Sequence, residues 1–349
     1  MYKPILKYVA ILCGFLALVG CEAGDYSYID YQKTAQEPTM LEKARTTART
    51  KYHQPMPSLA SLNLSEDKVR LGNMLYHDTR LSGNGKLSCA SCHVLAIGGD
   101  DNQPVSTGIN RQKGSINAPT TLNSGFNFKQ FWDGRAESLR KQAEGPVENP
   151  IEMGAKWPNV IASLQAVETY QKLFDAIYPT QGINQYTVTD AIAEFERSLI
   201  TPAPIDEYLR GDDNALTAEQ QEGYRLFQSY GCVACHQGVN FGGNMMQKFG
   251  ALKAYFDEKN EKTVDLGLFN QTQRPTDRNV FKVPSLRNVE HTAPYFHNGL
   301  AQTLDEAINI MGLNQLGREI PPNERTKIAA FLKSLSGELK TTPIDPPKQ

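Results

Sequence analysis

The chain has 349 residues, a formal charge of −2, 40% hydrophobic residues and 9% aromatics, a length that suggests about two domains. That balance, with an isoelectric point of about 6.3, excludes the basic face of a nucleic-acid binder. Ordinary Gly and Pro counts exclude long low-complexity disorder. The informative feature is the placement of six cysteines: Cys13, Cys21, the pair Cys89 and Cys92, and the pair Cys232 and Cys235.

Residues 1–20 combine a lysine-bearing start with an apolar run from Val9 to Val19, too short to span a bilayer and in the pattern of an export signal. Leu18-Val19-Gly20-Cys21 closes it and resembles a lipobox. Cys13 is then lost with the signal and Cys21 carries lipid; Glu22 in the next position is compatible with outer-membrane sorting. Residues 21–58 are polar, without apolar periodicity, and read as a tether.

From there the elements are helical. Ser65 opens an amphipathic stretch with Val69, Leu71, Met74 and Leu75, and similar patterns cover Val160 to Ile177 and Val188 to Leu199. Thr217 to Gln220 and Thr303 to Glu306 are capping boxes, the second opening a helix that ends at Met311 and Gly312. A last helix is expected between Pro322 and Leu335, with Gly337 as its stop. Strand-like alternation is scarce, so the class is mostly α. Pro202-Ala203-Pro204 divides a first domain at 59–202 from a second at 203–337, leaving a tail at 338–349. The last helix is allowed to pack back on the first domain.

The halves echo each other, since each has an amphipathic helix and a glycine-bearing turn ahead of Cys-x-x-Cys-His: Cys89-Ala-Ser-Cys92-His93 and Cys232-Val-Ala-Cys235-His236. Two thiols at this spacing can bond both vinyl groups of one haem, and the next residue then stands as the proximal iron ligand. A thioredoxin-like redox pair would need a βαβ context that is absent. Paired zinc motifs normally lie about 15 to 20 residues apart. Two c-type haems therefore account for both motifs, and for thiols left out of disulfides in an exported chain.

Sixth ligands separate electron carriers from haems that bind a small molecule. Val94 to Glu152 contain neither His nor Met, so the first iron reads as open. His77 and Met74 lie just upstream, and His77 reads as a helix-end residue. For the second haem the candidates are Met245, Met246, His291, His297 and Met311. Met245 and Met246 lie too close to His236 to reach around the ring. Met311, followed by a glycine, would raise the potential.

The chain from about Leu59 to Gly337 resembles the bacterial di-haem cytochrome c peroxidases. The resemblance is carried by Leu71-Gly72 through Cys89, Gln112-Lys-Gly114 with Asn117-Ala-Pro-Thr120, Phe131-Trp-Asp-Gly-Arg135-Ala, Gly145 to Met153, Val283-Pro-Ser-Leu-Arg-Asn-Val289 and Thr292-Ala-Pro-Tyr-Phe-His297. It implies two cytochrome c-like, mainly helical domains, one covalent haem in each, and a calcium ion between them. It also implies reduction of hydrogen peroxide with electrons from a small periplasmic cytochrome c or cupredoxin. By resemblance, Trp132 lies between the haems, Glu152 is the distal acid/base with Gln142 beside it, and Met311 is the sixth ligand of the electron-receiving haem. Asn117 and the carbonyls of Thr292 and Pro294 resemble calcium ligands, and His297 a histidine near the second haem. A homodimer is compatible with the family, and the lipid is the membrane attachment.

Many members carry a distal histidine where this chain has Ile109, and isoleucine cannot bind iron. A related maturase that oxidises tryptophan in a partner protein also keeps its first haem open, but has tyrosine in place of the methionine that Met311 supplies here. A pure electron carrier is disfavoured by an open iron beside a carboxylate. The first haem of the as-isolated, fully oxidised protein should therefore be high-spin in its electronic and paramagnetic-resonance spectra; a low-spin bis-histidine signal would contradict this.

Overall fold

A computed structural model describes residues 40–255 and 265–348. The export signal, Cys13, Cys21, Glu22 and the tether as far as residue 39 lie outside the described residues. Eleven α-helices are described: α1 (Met40–Arg49), α2 (Glu66–Tyr76), α3 (Leu139–Glu148), α4 (Trp157–Gln165), α5 (Glu168–Ile177), α6 (Gln185–Ser198), α7 (Pro204–Arg210), α8 (Ala218–Ser229), α9 (Phe269–Thr272), α10 (Leu304–Ile310) and α11 (Pro322–Lys333). Two three-residue strands, β1 (Met246–Lys248) and β2 (Val280–Lys282), pair antiparallel with Met246 opposite Lys282.

The caps read from sequence explain several helix starts. Ser65 accepts the Lys68 N–H at the head of α2, and Thr217 and Gln220 form the full reciprocal box on α8. On α10 only half the box forms. Thr303 accepts the Glu306 N–H, while the Glu306 carboxylate takes the Gln302 N–H instead. The apolar run from Val160 to Ile177 is two helices, because the chain turns at Ala166 and Val167 and Val167 is buried between α4 and α5.

Two hydrophobic cores form within the unit that runs from Met40 onward. The first gathers Leu71 through Leu199 and the second Ala203 through Leu335. Each is built on a crossed helix pair, α2 with α6 and α8 with α11. At both crossings a glycine allows the backbones to meet: a Cβ on Gly72 would stand 1.9 Å from the Ala191 carbonyl oxygen, and one on Gly223 1.9 Å from that of Lys327. The repeat seen in sequence is thus also a repeat of packing.

Three expectations give way. Residues 40–57 are not a tether: α1 forms there, and His53 and Met56 are fully buried, because the His53 ring and the Met56 N–H find partners in the second core. Helix α11 packs on α8, in the second core rather than the first. It is the tail that returns to the first core, with Leu339 and Ile344 against it and Asn73 bonding Thr342 and Ile344. Gly337 is not a left-handed helix stop; it lets the chain pass the Pro202 carbonyl, which a Cβ would approach to 2.0 Å.

Gly223→Ala should lower holoprotein stability by about 1–3 kcal/mol, the usual cost of forcing atoms into a packed interior. The guanidinium midpoint reads this directly, and an unchanged midpoint would refute the backbone-contact argument.

Candidate active site

The two Cys-x-x-Cys-His segments have the same backbone. In the first, the Cys92 and His93 N–H groups donate to the Cys89 carbonyl at 3.2 and 3.0 Å; in the second, those of Cys235 and His236 donate to the Cys232 carbonyl at 3.2 and 3.0 Å. Each tight turn brings both thiols and the imidazole to one locality. A backbone carbonyl then fixes each ring through Nδ1: Gly99 O at 3.3 Å for His93, Phe241 O at 3.0 Å for His236. Nε2 is left to ligate, and burial keeps both imidazoles neutral by lowering their pKa, that of His236 to about 4. Burial pushes the Cys89 and Cys232 thiols up to about 12. Such thiols are unlike the depressed thiolates of a redox pair, and none of the four is in a disulfide.

Beside the second motif lies a cavity of about 470 Å³, lined by Cys232, Cys235 and His236 and by Met311, with apolar walls such as Phe281 and Ile308. Met311 follows α10 directly, at the start of a π-helical turn over Met311–Gln315, a distortion common at functional sites. Gly312 lets that turn close, since a Cβ there would stand 3.0 Å from the Arg318 carbonyl oxygen. Imidazole, thioether and two thiols around an apolar cavity fit a covalently held haem. His297 also lines the cavity, stacked on Phe281 with centroids 4.0 Å apart. Met245 and Met246 do not line it, and His291 is exposed, its carbonyl accepting from Asn102.

His53 supports this site. Its ring stacks on Phe241 at 3.9 Å, Nδ1 meets Tyr224 Oη at 2.8 Å, and Nε2 meets the His236 carbonyl at 2.9 Å. Sequence reasoning missed it because the surrounding stretch has no periodicity.

Trp132 joins the halves. Its indole N–H donates to the Asn117 carbonyl at 2.9 Å, its own carbonyl accepts the Lys282 N–H at 2.7 Å, and its ring lines the second cavity. Asn117 heads the 117–121 segment, whose Pro119 carbonyl lies against His93.

Residues 66–214 match the family model of the di-haem cytochrome c peroxidases. A cytochrome c peroxidase of Escherichia coli (strain K12) is 48% identical over 286 residues, covering 81% of this chain and 61% of the relative, so the chain spans under two thirds of that protein. A cytochrome c551 peroxidase of Nitrosomonas europaea is 44% identical over 311 residues, 88% of this chain and 91% of its own length. Among solved structures, a MauG-like protein associated with microbial copper homeostasis matches with a TM-score of 0.71 at 30% identity, over 82% of this chain and 93% of that one. The chain belongs to the di-haem cytochrome c peroxidase family. Membership implies two c-type haems, in keeping with the two motifs.

A loop over residues 105–114 meets the first motif where the Ser106 side chain lies against Cys92. Its Ile109 N–H donates to the Glu152 carbonyl at 2.7 Å, and the Gln112 side chain donates to the Pro150 carbonyl. Gly108 permits the contact, since a Cβ there would meet the Ile151 carbonyl oxygen at 2.0 Å. The Glu152 carboxyl is raised by burial against the opposing effects of an Asn149 hydrogen bond and the Arg135 charge. Asn149 Nδ2 donates to Glu152 Oε1 at 2.6 Å. Gln142, the neighbour expected from resemblance, stands half-buried on α3 and makes no hydrogen bond to Glu152; Asn149, three residues before Glu152, is the amide bonded to the carboxyl. His77 turns back onto its own helix, Nδ1 lying 2.8 Å from the Asn73 carbonyl, and Met74 is in the first core.

The calcium candidates converge in part. The Asn117 amide lies 3.3 Å from the Pro294 carbonyl, while the Thr292 hydroxyl bonds Val289. No described helix is long and apolar enough to cross a membrane.

Glu196 on α6 was not singled out by sequence. It is 5% exposed, its Oε2 has no partner, and burial lifts its carboxyl to about 8, close enough to Cys89 to raise that thiol too. The folded state thus holds a proton that the unfolded chain releases near 4.5. Stability should fall as pH rises from about 4.5 to about 8, by up to roughly 5 kcal/mol. Glu196→Gln should flatten that slope in denaturation measured across the window; an unaltered slope would exclude Glu196 as its source.

Proposed function

We propose that this protein reduces hydrogen peroxide to water with electrons from a small periplasmic cytochrome c or cupredoxin, and that it does so without prior reduction. The carrying observation is the loop over 105–114, closed on Glu152 through Ile109, which presents an isoleucine where a distal histidine would block the iron. The net reaction takes one peroxide, two protons and two electrons to two waters. Cys89, Cys92 and His93 would hold the first haem, which would supply the iron for peroxide reduction.

The chain's own contribution is proton handling and electron delivery. Glu152 takes a proton from one peroxide oxygen and returns it to the departing one, a general acid/base task suited to a carboxyl whose pKa burial has moved toward neutrality. Asn149 holds the carboxyl in place and Arg135 keeps the shift in check. Trp132 bridges the second cavity and the 117–121 segment beside His93. Cys232, Cys235, His236 and Met311 would hold the electron-receiving haem, and a thioether among these ligands would favour the reduced state. That preference weighs against the maturase-like alternative, tryptophan oxidation in a partner protein, which the likeness to a MauG-like structure keeps in view.

The proposal extends to location and metal. The signal and Cys21 support a periplasmic protein anchored by lipid to the outer membrane. The convergence of Asn117 with the Pro294 carbonyl, together with the Thr292 carbonyl, supports a calcium ion, since neutral oxygens suit that hard cation.

Steady-state assay of the as-isolated oxidised enzyme with a reduced small cytochrome tests the reading: turnover without a pre-reduction lag supports it, and no donor oxidation refutes it. Glu152→Gln should lower kcat by about 10²–10⁴. Because Glu152 must begin deprotonated, kcat/KM for peroxide should fall on the acid side with an apparent pKa above 4.5, a limb lost in the variant. Wild-type rates in Glu152→Gln would remove the carboxylate from the mechanism.

A further inference from the structure

Lys282, the last residue of β2, is 5% exposed and lines the second cavity with Trp132 and Phe281. Its backbone is held twice, by pairing with Met246 and by donating to the Trp132 carbonyl. The ammonium has no salt bridge or hydrogen bond to any described residue, and burial alone pulls it down to about 8. The single carboxylate on that wall among the described residues, Asp100, makes no bond to it. The other titratable groups there are Lys248, His236, His297, Tyr295 and the two thiols. None offers a negative charge in its ordinary state.

Keeping an ammonium charged in an apolar cavity is costly unless an anion meets it. A haem is a dicarboxylate. We propose that Lys282 is the counter-ion of a carboxylate on the haem held by Cys232, Cys235 and His236, and that it helps set that haem's potential. The assignment rests on the haem reading of the second motif. One-electron reduction adds a negative charge to the site, and a neighbouring ammonium stabilises the reduced form. Lys282 therefore acts as a positioning and tuning residue: its N–H fixes Trp132 while its side chain biases the site beside Trp132 toward holding an electron.

The test uses full-length holoprotein with Lys282→Met and Lys282→Arg, read by pyridine haemochrome stoichiometry, spectroelectrochemical titration and redox-difference infrared spectra. Two haems are expected in the wild type and both variants. In Lys282→Met the potential of the second haem should fall, so that the reduced-to-oxidised ratio at fixed applied potential drops roughly tenfold, and a protonated-carboxyl band should appear. Lys282→Arg should keep the wild-type values. If Lys282→Met loses the second haem while Lys282→Arg keeps it, the requirement for a cation is supported directly. An unchanged potential and spectrum in Lys282→Met, or equal changes in both variants, would overturn the assignment. A wild-type protein carrying a single haem would overturn the haem reading and the assignment with it.

Discussion

The second half of the molecule depends on one buried ion pair. Arg287 and Asp206, both with side chains wholly shielded from solvent, meet through two hydrogen bonds of 2.7 and 3.1 Å. The pair also recruits backbone: Asp206 accepts the N–H groups of Met56 and Ala203, and Arg287 Nε donates to the Val239 carbonyl at 2.6 Å. Segments far apart in sequence thus meet at two charges. Removing either would strand the other without water, a loss of about 3–5 kcal/mol for buried pairs in general. The guanidinium also lies 5.7 Å from the Phe241 ring, and the Phe241 carbonyl orients His236. The pair is therefore one residue removed from His236, whose imidazole the Phe241 carbonyl orients.

A second, uncharged network does for the halves what the ion pair does for the second core. Thr201, in the linker, exchanges two hydrogen bonds with Asn123 and accepts one from Asn288, while Asn240 donates to the Asn123 carbonyl. All four are at most 1% exposed. Buried amides cost free energy unless they find partners, and these bonds can form together only in one arrangement of the first core, the linker and the second core, even though Asn240 Oδ1 is left without a partner. Asn240 also holds the Asn127 side chain, and the Gly243 carbonyl accepts the Phe128 N–H. These bonds pin the segment just ahead of Trp132, whose indole N–H and carbonyl are themselves held by Asn117 and Lys282.

What could be read from sequence had a period or a motif. Helices with caps and apolar faces, the two haem-attachment turns and the candidate thioether ligand are local patterns, visible because neighbours in sequence are neighbours in space. His53, Asn149 and Glu196 were not legible for the opposite reason. His53 lies in a polar stretch and acquires its role only when the second core folds around it. Glu196 occupies a polar residue's place on an otherwise ordinary amphipathic helix, and only packing reveals that this face points inward. Asn149 could have been suspected from its spacing to Glu152 at the end of α3, but Gln142 drew attention through family likeness alone. The misassigned Gly337 makes the same point, since a glycine needed for a close approach and one needed for a left-handed turn look identical as letters.

The two motifs share a backbone to within a tenth of an ångström in their turn hydrogen bonds, so their difference must come from what faces them. The second faces apolar side chains, a thioether and the Lys282 ammonium. The first faces a loop sealed onto Glu152 by backbone bonds, with a carboxylate and an arginine nearby. A carboxyl that must give and take protons needs both partial burial, to raise its pKa, and a polar partner, to limit the rise; Asn149 and Arg135 supply the second condition. Opening the loop would break the Ile109 and Gln112 contacts together.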